Sequence, residues 1–144
     1  MRADYINENS SSAFGWKKKV QSVGAALTLT SDDSGKVYMC ESSGGAFSIT
    51  LPTAATGENG DCYKFIVEED TPTADITIAA GSAIINLVSK DAGGDLGASS
   101  AGTAVSNIIL DTTAKKGDYV DIMYWNGAYW AESLSAVNAG VQTS

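Results

Sequence analysis

The sequence predicts an all-β fold, as a single β-sandwich or jelly-roll-like domain or a compact β-barrel. Short runs rich in β-branched and aromatic residues alternate apolar and polar side chains, which is typical of strands. Segments rich in Gly, Asn, Asp and Ser separate these runs, and the chain has 15 glycines but only 2 prolines. A length of 144 residues with 44% apolar content allows one hydrophobic core. No window of helical periodicity rivals the strand pattern, so the all-β class is preferred.

About nine strands are predicted between residues 26 and 133. In chain order they cover residues 26–30, 36–41, 46–51, 62–68, 74–80, 83–89, 105–111, 118–124 and 128–133. Turn-forming sequences separate them, and the longest separator, residues 90–104, is small, polar and Gly-rich. Many short strands at this spacing are typical of a sandwich, a jelly roll or a compact barrel.

The chain divides into an arm, a body and a tail. The arm, residues 1–23, shows no sustained periodicity, and its stretch NENSSSAFG is typical of extended chain. The body covers residues 24–134, and the tail covers residues 135–144, which are small and polar. The tail is expected either to add to the sheet edge of a neighbouring molecule or to be disordered in the free protein.

Charge is distributed unevenly along the chain, which carries −8 overall. Residues 1–20 hold four basic and two acidic side chains, a net of +2, whereas the rest hold five lysines and fifteen acids, a net of −10. An acidic body repels phosphate backbones, so no nucleic-acid partner is expected. No apolar run approaches the roughly 18 residues of a membrane span, and the N-terminus has no apolar signal region. We therefore expect neither a membrane partner nor secretion.

The densest aromatic cluster is the stretch MYWNGAYW, residues 123–130. Its central Asn-Gly pair is the strongest hairpin signal in the chain, because both residues tolerate positive φ. Two registers are open. A two-residue loop pairs Tyr124 with Tyr129, whereas a three-residue loop with a glycine bulge pairs Ile122 with Trp130.

The bulged register is preferred, because it buries Val120, Ile122 and Trp130 together and leaves Asp121 on the wetter face. The cluster is interpreted as a structural hairpin, since cross-strand aromatic pairs stabilise a sheet by about 0.2–1 kcal/mol each. The alternative is a glycan-binding rim formed by exposed aromatic side chains, namely Tyr124, Trp125 and Tyr129.

The sequence contains no recognisable catalytic or metal-binding constellation. Because it has no histidine, a Ser-His-Asp triad, a Cys-His pair and a His-based zinc site are all excluded. Cys40 and Cys62 are too few for a disulfide framework and are expected to be two buried free thiols, although pairing stays open if their strands are adjacent. Residues 31–35 and 57–61 carry acidic side chains without EF-hand spacing. We expect neither an enzyme nor a bound cofactor or metal.

Three short motifs follow one another in the body: a strand end Thr-Leu-Pro, a Tyr-x-Phe-x-Val strand, and a closing Gly-Asp hairpin. Their residues are Thr50, Leu51, Pro52, Tyr63, Phe65, Val67, Gly117, Asp118, Val120, Asn126, Gly127 and Trp130. This succession, over about residues 27–133, resembles small virion proteins of tailed phages. The resemblance implies a capsid decoration (cement) protein, made in the host cytoplasm. Such a protein, commonly a homotrimer, is a non-enzymatic structural protein that binds the major capsid protein on the outer surface of the phage head and stabilises the head by bridging coat subunits.

The arm lies outside the matched residues, so its role is inferred from its composition. Four large apolar side chains are unfavourable in water, and the lysines that follow them suit docking onto an acidic protein surface. We therefore predict that the coat protein or a neighbouring protomer is bound by Tyr5, Ile6, Phe14, Trp16, Lys17, Lys18 and Lys19. In the alternatives, the arm packs back on its own body, or the protein is a head- or tail-fibre module that binds host glycan.

Overall fold

The structure is a computed structural model, and it describes residues 17–91 and 104–144. In these ranges twelve strands form two sheets that pack face to face. One short 3-10 turn covers Ser31–Asp33. The strands are β1 (Val20–Val23), β2 (Leu27–Thr28), β3 (Val37–Cys40), β4 (Phe47–Thr50), β5 (Cys62–Val67), β6 (Ile76–Ala79), β7 (Ile84–Lys90), β8 (Ala104–Val105), β9 (Asn107–Leu110), β10 (Tyr119–Trp125), β11 (Ala128–Leu134) and β12 (Val141–Thr143). The described strands form open sheets, so the all-β sandwich is confirmed.

Both sheets are mixed, which means that they contain parallel and antiparallel pairs of strands. The chain crosses from one sheet to the other after nearly every strand. The seven-stranded sheet has the order β1-β3-β5-β10-β11-β7-β8, and the five-stranded sheet has the order β12-β9-β6-β4-β2. Because each crossing brings the chain back in the same direction, β1, β3 and β5 are parallel, and so are β2, β4 and β6. The hairpin β10–β11 and its pairing with β5 add antiparallel ladders in the middle of the larger sheet.

The core lies between the sheets and follows from the period-two alternation of the strands. In β5, Tyr63, Phe65 and Val67 are buried, while the residues between them are only half-buried. Tyr38 stacks on Phe65, with ring centroids 5.4 Å apart. The buried side chains of both sheets form one contiguous cluster, so a single core holds the described strands together.

Each of the nine predicted strands has a counterpart, but the structure also includes part of the predicted arm and part of the predicted tail in the sheets. The last four residues of the predicted arm form β1, which pairs with β3. The tail ends in β12, which pairs with β9 of the same chain, whereas the tail was expected to extend a neighbour's sheet or to be disordered. Both strands are short and have only one buried residue each, so they lack the apolar alternation that identified the others.

The hairpin register differs from the preferred prediction. Tyr124 pairs with Tyr129 across a two-residue loop. Both loop residues have positive φ, 48° at Asn126 and 86° at Gly127, as a tight primed turn requires. The prediction that Trp130 belongs to the core is therefore wrong: its side chain points outward and is 52% exposed.

The two buried tyrosines explain this register. Their rings meet edge to face, with centroids 5.1 Å apart. The Tyr129 hydroxyl donates to the carbonyl oxygen of Pro52 at 2.6 Å, and the Tyr124 hydroxyl donates to that of Ala54 at 2.8 Å. The inward positions thus bury two rings and satisfy both polar groups, which the bulged register with Trp130 inside does not achieve.

Two core tyrosines provide a matched test of these hydrogen bonds. The Tyr129 hydroxyl has an acceptor, whereas the buried Tyr38 hydroxyl has no hydrogen-bond partner among the described residues. Tyr129→Phe should lower the free energy of unfolding by about 1–2 kcal/mol, because a buried carbonyl loses its donor. Tyr38→Phe should be neutral or stabilising. Urea denaturation measures the free energy of unfolding of both variants. A larger loss for Tyr38→Phe than for Tyr129→Phe would contradict this assignment of hydrogen bonds.

The same core predicts a loss of stability at alkaline pH. Burial raises the pKa of Tyr38 to about 12, and it also raises the pKa values of Tyr63 and Tyr129. In the unfolded chain these phenols lose their protons near about pH 10, whereas in the fold they stay protonated to higher pH. The free energy of unfolding is therefore unaffected by these groups below about pH 10 and falls above it. Each tyrosine should lower it by about 1.4 kcal/mol per pH unit between its unfolded and folded pKa values. Urea denaturation from about pH 8 to about pH 11 measures it, and a flat profile would show that these phenols ionise freely in the fold.

Candidate functional site

The exposed apolar side chains are concentrated on one surface of the molecule. All seven large apolar side chains that are exposed in the described residues lie on strands of the seven-stranded sheet. One of them, Val20, is on the edge strand β1. The other six lie on the adjacent strands β10, β11 and β7 and are here termed the apolar face: Met123, Trp125, Trp130, Leu134, Ile84 and Val88.

Strand register brings the members of the apolar face together. Trp130 lies directly opposite Met123, and in the next row Ala128 stands between Trp125 and Ile84. The six side chains are between 44% and 54% exposed, although their neighbours along each strand are buried in the core. Four of them, Met123, Trp125, Trp130 and Ile84, occupy two adjacent rows. An exposed apolar cluster of this kind marks an interaction surface, because isolated soluble domains rarely leave one uncovered.

A row of charged side chains crosses the sheet within the apolar face, between the row of Met123 and Trp130 and the row of Leu134, and Val88 continues it on β7. Lys64, Asp121 and Glu132 stand in register on three adjacent strands. The Lys64 ammonium lies 3.4 Å from the Asp121 carboxylate and 4.0 Å from the centroid of the Tyr119 ring. Glu132 faces Asp121 and has no cationic partner in residues 17–91 and 104–144. Like charges directly opposite one another are unfavourable, so this row favours a basic group from outside it.

Three shallow depressions lie on the outer surface of the seven-stranded sheet and are here together termed the groove; the first and second share Lys18 in their lining, and the second and third share Asp121. The first lies beside residues 17–19, and the second passes Cys62 and reaches Asp121. The third continues from Asp121 to Met123 and Trp130. The groove therefore runs across successive strands, from the start of β1 to the apolar face.

The predicted arm residues are only partly within reach of the structure. Tyr5, Ile6, Phe14 and Trp16 lie outside the described residues. Lys17, Lys18 and Lys19 are exposed, stand immediately before β1 and line the first depression of the groove. The structure thus places the basic run at one end of the groove and the apolar face at the other.

The three residues predicted as a glycan-binding rim do not form one surface. Trp125 is 54% exposed, but Tyr124 and Tyr129 are buried in the core and donate hydrogen bonds to main-chain carbonyls. The exposed aromatic side chains of the hairpin are instead Trp125 and Trp130. The Asn-Gly pair is the local signal for the two-residue register that the structure has, whereas the apolar pattern of Val120, Ile122 and Trp130 favours the bulged one.

Cys40 and Cys62 are both free thiols. Cys40 is buried, and burial raises the pKa of its thiol to about 12. The prediction that both thiols are buried is wrong for Cys62, which is half-buried because it lies on the outer face of the sheet, in the groove. Because Cys40 is in register with Val67, five residues along β5 from Cys62, the two sulfur atoms cannot meet in a disulfide.

No metal-binding or membrane-spanning feature is found in the part of the chain that the structure describes. Within it, His, Cys, Asp and Glu do not gather in any group of three or more that could hold a metal ion. No helix there is long and apolar enough to span a membrane.

Comparison with known proteins identifies no relative: no protein-family model matches the chain, and a search of curated proteins found no match. The resemblance to phage virion proteins therefore stays a prediction.

The two thiols should differ sharply in reactivity. Reaction at Cys40 requires unfolding, because its thiol is buried and stays protonated at neutral pH. Alkylation of the native protein followed by peptide mass spectrometry should find label at Cys62 alone, and in denaturant both cysteines should be labelled. Label at Cys40 in the native protein would contradict the packing of β3.

Proposed function

We propose that the protein is a non-enzymatic structural subunit that decorates the outer surface of a tailed-phage head and stabilises it by bridging coat subunits. The observation that carries this proposal is the apolar face, with six large side chains exposed on three adjacent strands. Burial of such a surface against a partner is favourable by about 25 cal/mol per Å² of apolar area. The sequence resemblance supplies the partner, the major capsid protein.

The form of the surface suits a protein partner better than a small substrate. The groove is a series of shallow depressions on a sheet rather than an enclosed cavity, whereas small-molecule sites bury most of their ligand. Side chains that project from a hydrogen-bonded sheet also keep fixed spacings, which favours recognition of another folded surface. The charged row Lys64, Asp121 and Glu132 would select the orientation of that partner.

The arm supplies the second contact in this proposal. Tyr5, Ile6, Phe14 and Trp16 act as apolar anchors on the coat or on a neighbouring protomer, and the lysines at positions 17–19 pair with coat acids. Homotrimeric assembly is part of the same proposal and also comes from the sequence resemblance. The acidic body, with a net charge of −10 beyond residue 20, then faces solvent and limits unspecific association of particles.

Copy number in purified virions tests the proposed function first. Quantitative mass spectrometry should count copies of this chain in amounts comparable with the coat protein. A handful of copies per particle would favour a fibre module instead, and the hairpin surface with Trp125 and Trp130 would then be screened against glycans. Absence from particles would contradict a virion role.

Binding to heads that lack the protein tests the apolar face. The variant Met123→Ser/Trp130→Ser should reduce occupancy at limiting concentration by about tenfold or more, because truncating anchors at an interface centre costs about 2 kcal/mol or more. Ser48→Ala/Gln142→Ala changes two exposed side chains of the other sheet and should leave occupancy unchanged. Equal binding of both variants would exclude the apolar face as the docking surface.

Trp16→Ala tests the arm in the same assay. We expect reduced occupancy, by an amount similar to the loss of one interface anchor. Occupancy equal to that of the unchanged chain would show that Trp16 does not anchor the subunit to the shell.

A further inference from the structure

We propose that Asn126, at the tip of the β10–β11 hairpin, is a site of spontaneous deamidation, whereas the fold protects Asn59 from the same reaction. Each of these two asparagines precedes a glycine, so the dipeptide alone does not separate them. The inference concerns a covalent change in the isolated protein. It therefore goes beyond the proposed role in a phage head and does not depend on it.

The reaction joins a side-chain amide to the main-chain nitrogen of the next residue. The deprotonated Gly127 nitrogen attacks Cγ of Asn126, a C–N bond forms, and the Cγ–Nδ2 bond breaks as ammonia leaves. The proton that the Gly127 amide loses to solvent base balances the proton that the departing group takes up. Water then opens the cyclic imide at either carbonyl and gives aspartate or isoaspartate, with no change of oxidation state. Glycine leaves the approach open, because it has no Cβ atom.

The reacting groups at the hairpin tip are free. Asn126 and Gly127 are both exposed and form the loop between the paired residues Trp125 and Ala128. Among the described residues, the Asn126 side chain and the Gly127 amide have no hydrogen-bond partner. The tip of a hairpin opens more easily than the strands behind it, so the nitrogen and the side-chain carbon can reach the geometry of attack.

The same groups at Asn59 are held by hydrogen bonds. Its side-chain Oδ1 accepts from the Asn126 amide at 2.8 Å, and the Gly60 amide donates to the Tyr124 carbonyl oxygen at 2.9 Å. The next residue, Asp61, is buried, and its carbonyl oxygen accepts from the Tyr124 amide at 2.8 Å. Attack at Asn59 requires that the side chain turns and that the Gly60 nitrogen loses its proton. Two hydrogen bonds of ordinary strength should therefore slow the reaction there by about tenfold or more.

The product changes one end of the apolar face. Asn126 directly follows Trp125, so both products place a negative charge beside that exposed side chain. Isoaspartate also lengthens the main chain of the loop by a methylene group. The two-residue loop has positive φ at Asn126 and Gly127, a geometry that fits only the ordinary chain length. The pairing of Trp125 with Ala128 should therefore be lost in the isoaspartate form.

Peptide mass spectrometry after prolonged incubation at mildly alkaline pH tests the proposal. In the folded protein, deamidation at Asn126 should be about tenfold or more faster than at Asn59. In guanidinium chloride the two rates should be similar, because the hydrogen bonds of the fold are lost. Asn126→Gly keeps a residue that tolerates positive φ, so it should abolish the reaction at the tip and leave Asn59 protected.

Two variants of Asn59 form a matched pair. Asn59→Ala removes the acceptor of the Asn126 amide, so the tip opens more readily and deamidation at Asn126 should be about fivefold faster. Asn59→Asp keeps an oxygen acceptor at the same position and should leave the rate close to that of the unchanged chain. Absence of alkylation at Cys40 verifies that each variant is folded.

Three results would overturn the proposal. Equal rates at Asn59 and Asn126 in the folded protein would show that the hydrogen bonds around Gly60 give no protection. Reaction of both asparagines in denaturant but of neither in the folded protein would show that the hairpin tip is too rigid for attack. The same Asn126 rate in Asn59→Ala and in Asn59→Asp would contradict opening of the tip as the step that permits the reaction.

Discussion

The hydrogen bond from the Tyr129 hydroxyl to the carbonyl oxygen of Pro52 fixes how the β10–β11 hairpin sits on the core. Its neighbour Tyr124 makes the equivalent bond to Ala54, so the hairpin is held to the loop after β4 at two points. A slip of one residue would turn every side chain of one strand to the other face. Tyr129 would then point to solvent and Trp130 would enter the core. The outward position of Trp130 and Leu134, the two members of the apolar face on β11, therefore depends on this register.

The connections that cross between the sheets depend on buried polar side chains. These side chains accept hydrogen bonds from main-chain amides in the turns. The Asp118 carboxylate accepts hydrogen bonds from the Lys115 amide, the Ser135 hydroxyl and the Ala136 amide. The Ser42 hydroxyl accepts bonds from the amides of two residues just before β6. A buried polar group without partners is costly, so these side chains favour one path for each crossing. In the Gly-Asp motif of the closing hairpin, the aspartate therefore has a structural role.

The sequence contained enough information for the strands, because alternation along one strand is a local property. It did not determine the order of strands in each sheet, since alternation shows that a face is buried but not which strand lies beside it. The same limit applies to the surface. The run AIINLVS contains two adjacent isoleucines, Ile84 and Ile85, and only the pairing of β7 with β11 shows that Ile85 is inward. The apolar face therefore cannot be predicted from the sequence, although its two tryptophans lie in the densest aromatic cluster of the chain.

The outer surface of the five-stranded sheet differs from the apolar face in a way that bears on function. Its outward side chains include Thr28, Ser48, Thr50 and Thr77, which are small, hydroxylated and uncharged. Water solvates such a surface well, whereas the opposite surface of the sandwich exposes two tryptophans and four aliphatic or thioether side chains. The molecule is therefore asymmetric: one broad surface gains free energy when it is covered, and the other gains little. A subunit that coats a larger body requires such an asymmetry, because only one side can bind while the other must stay in solvent.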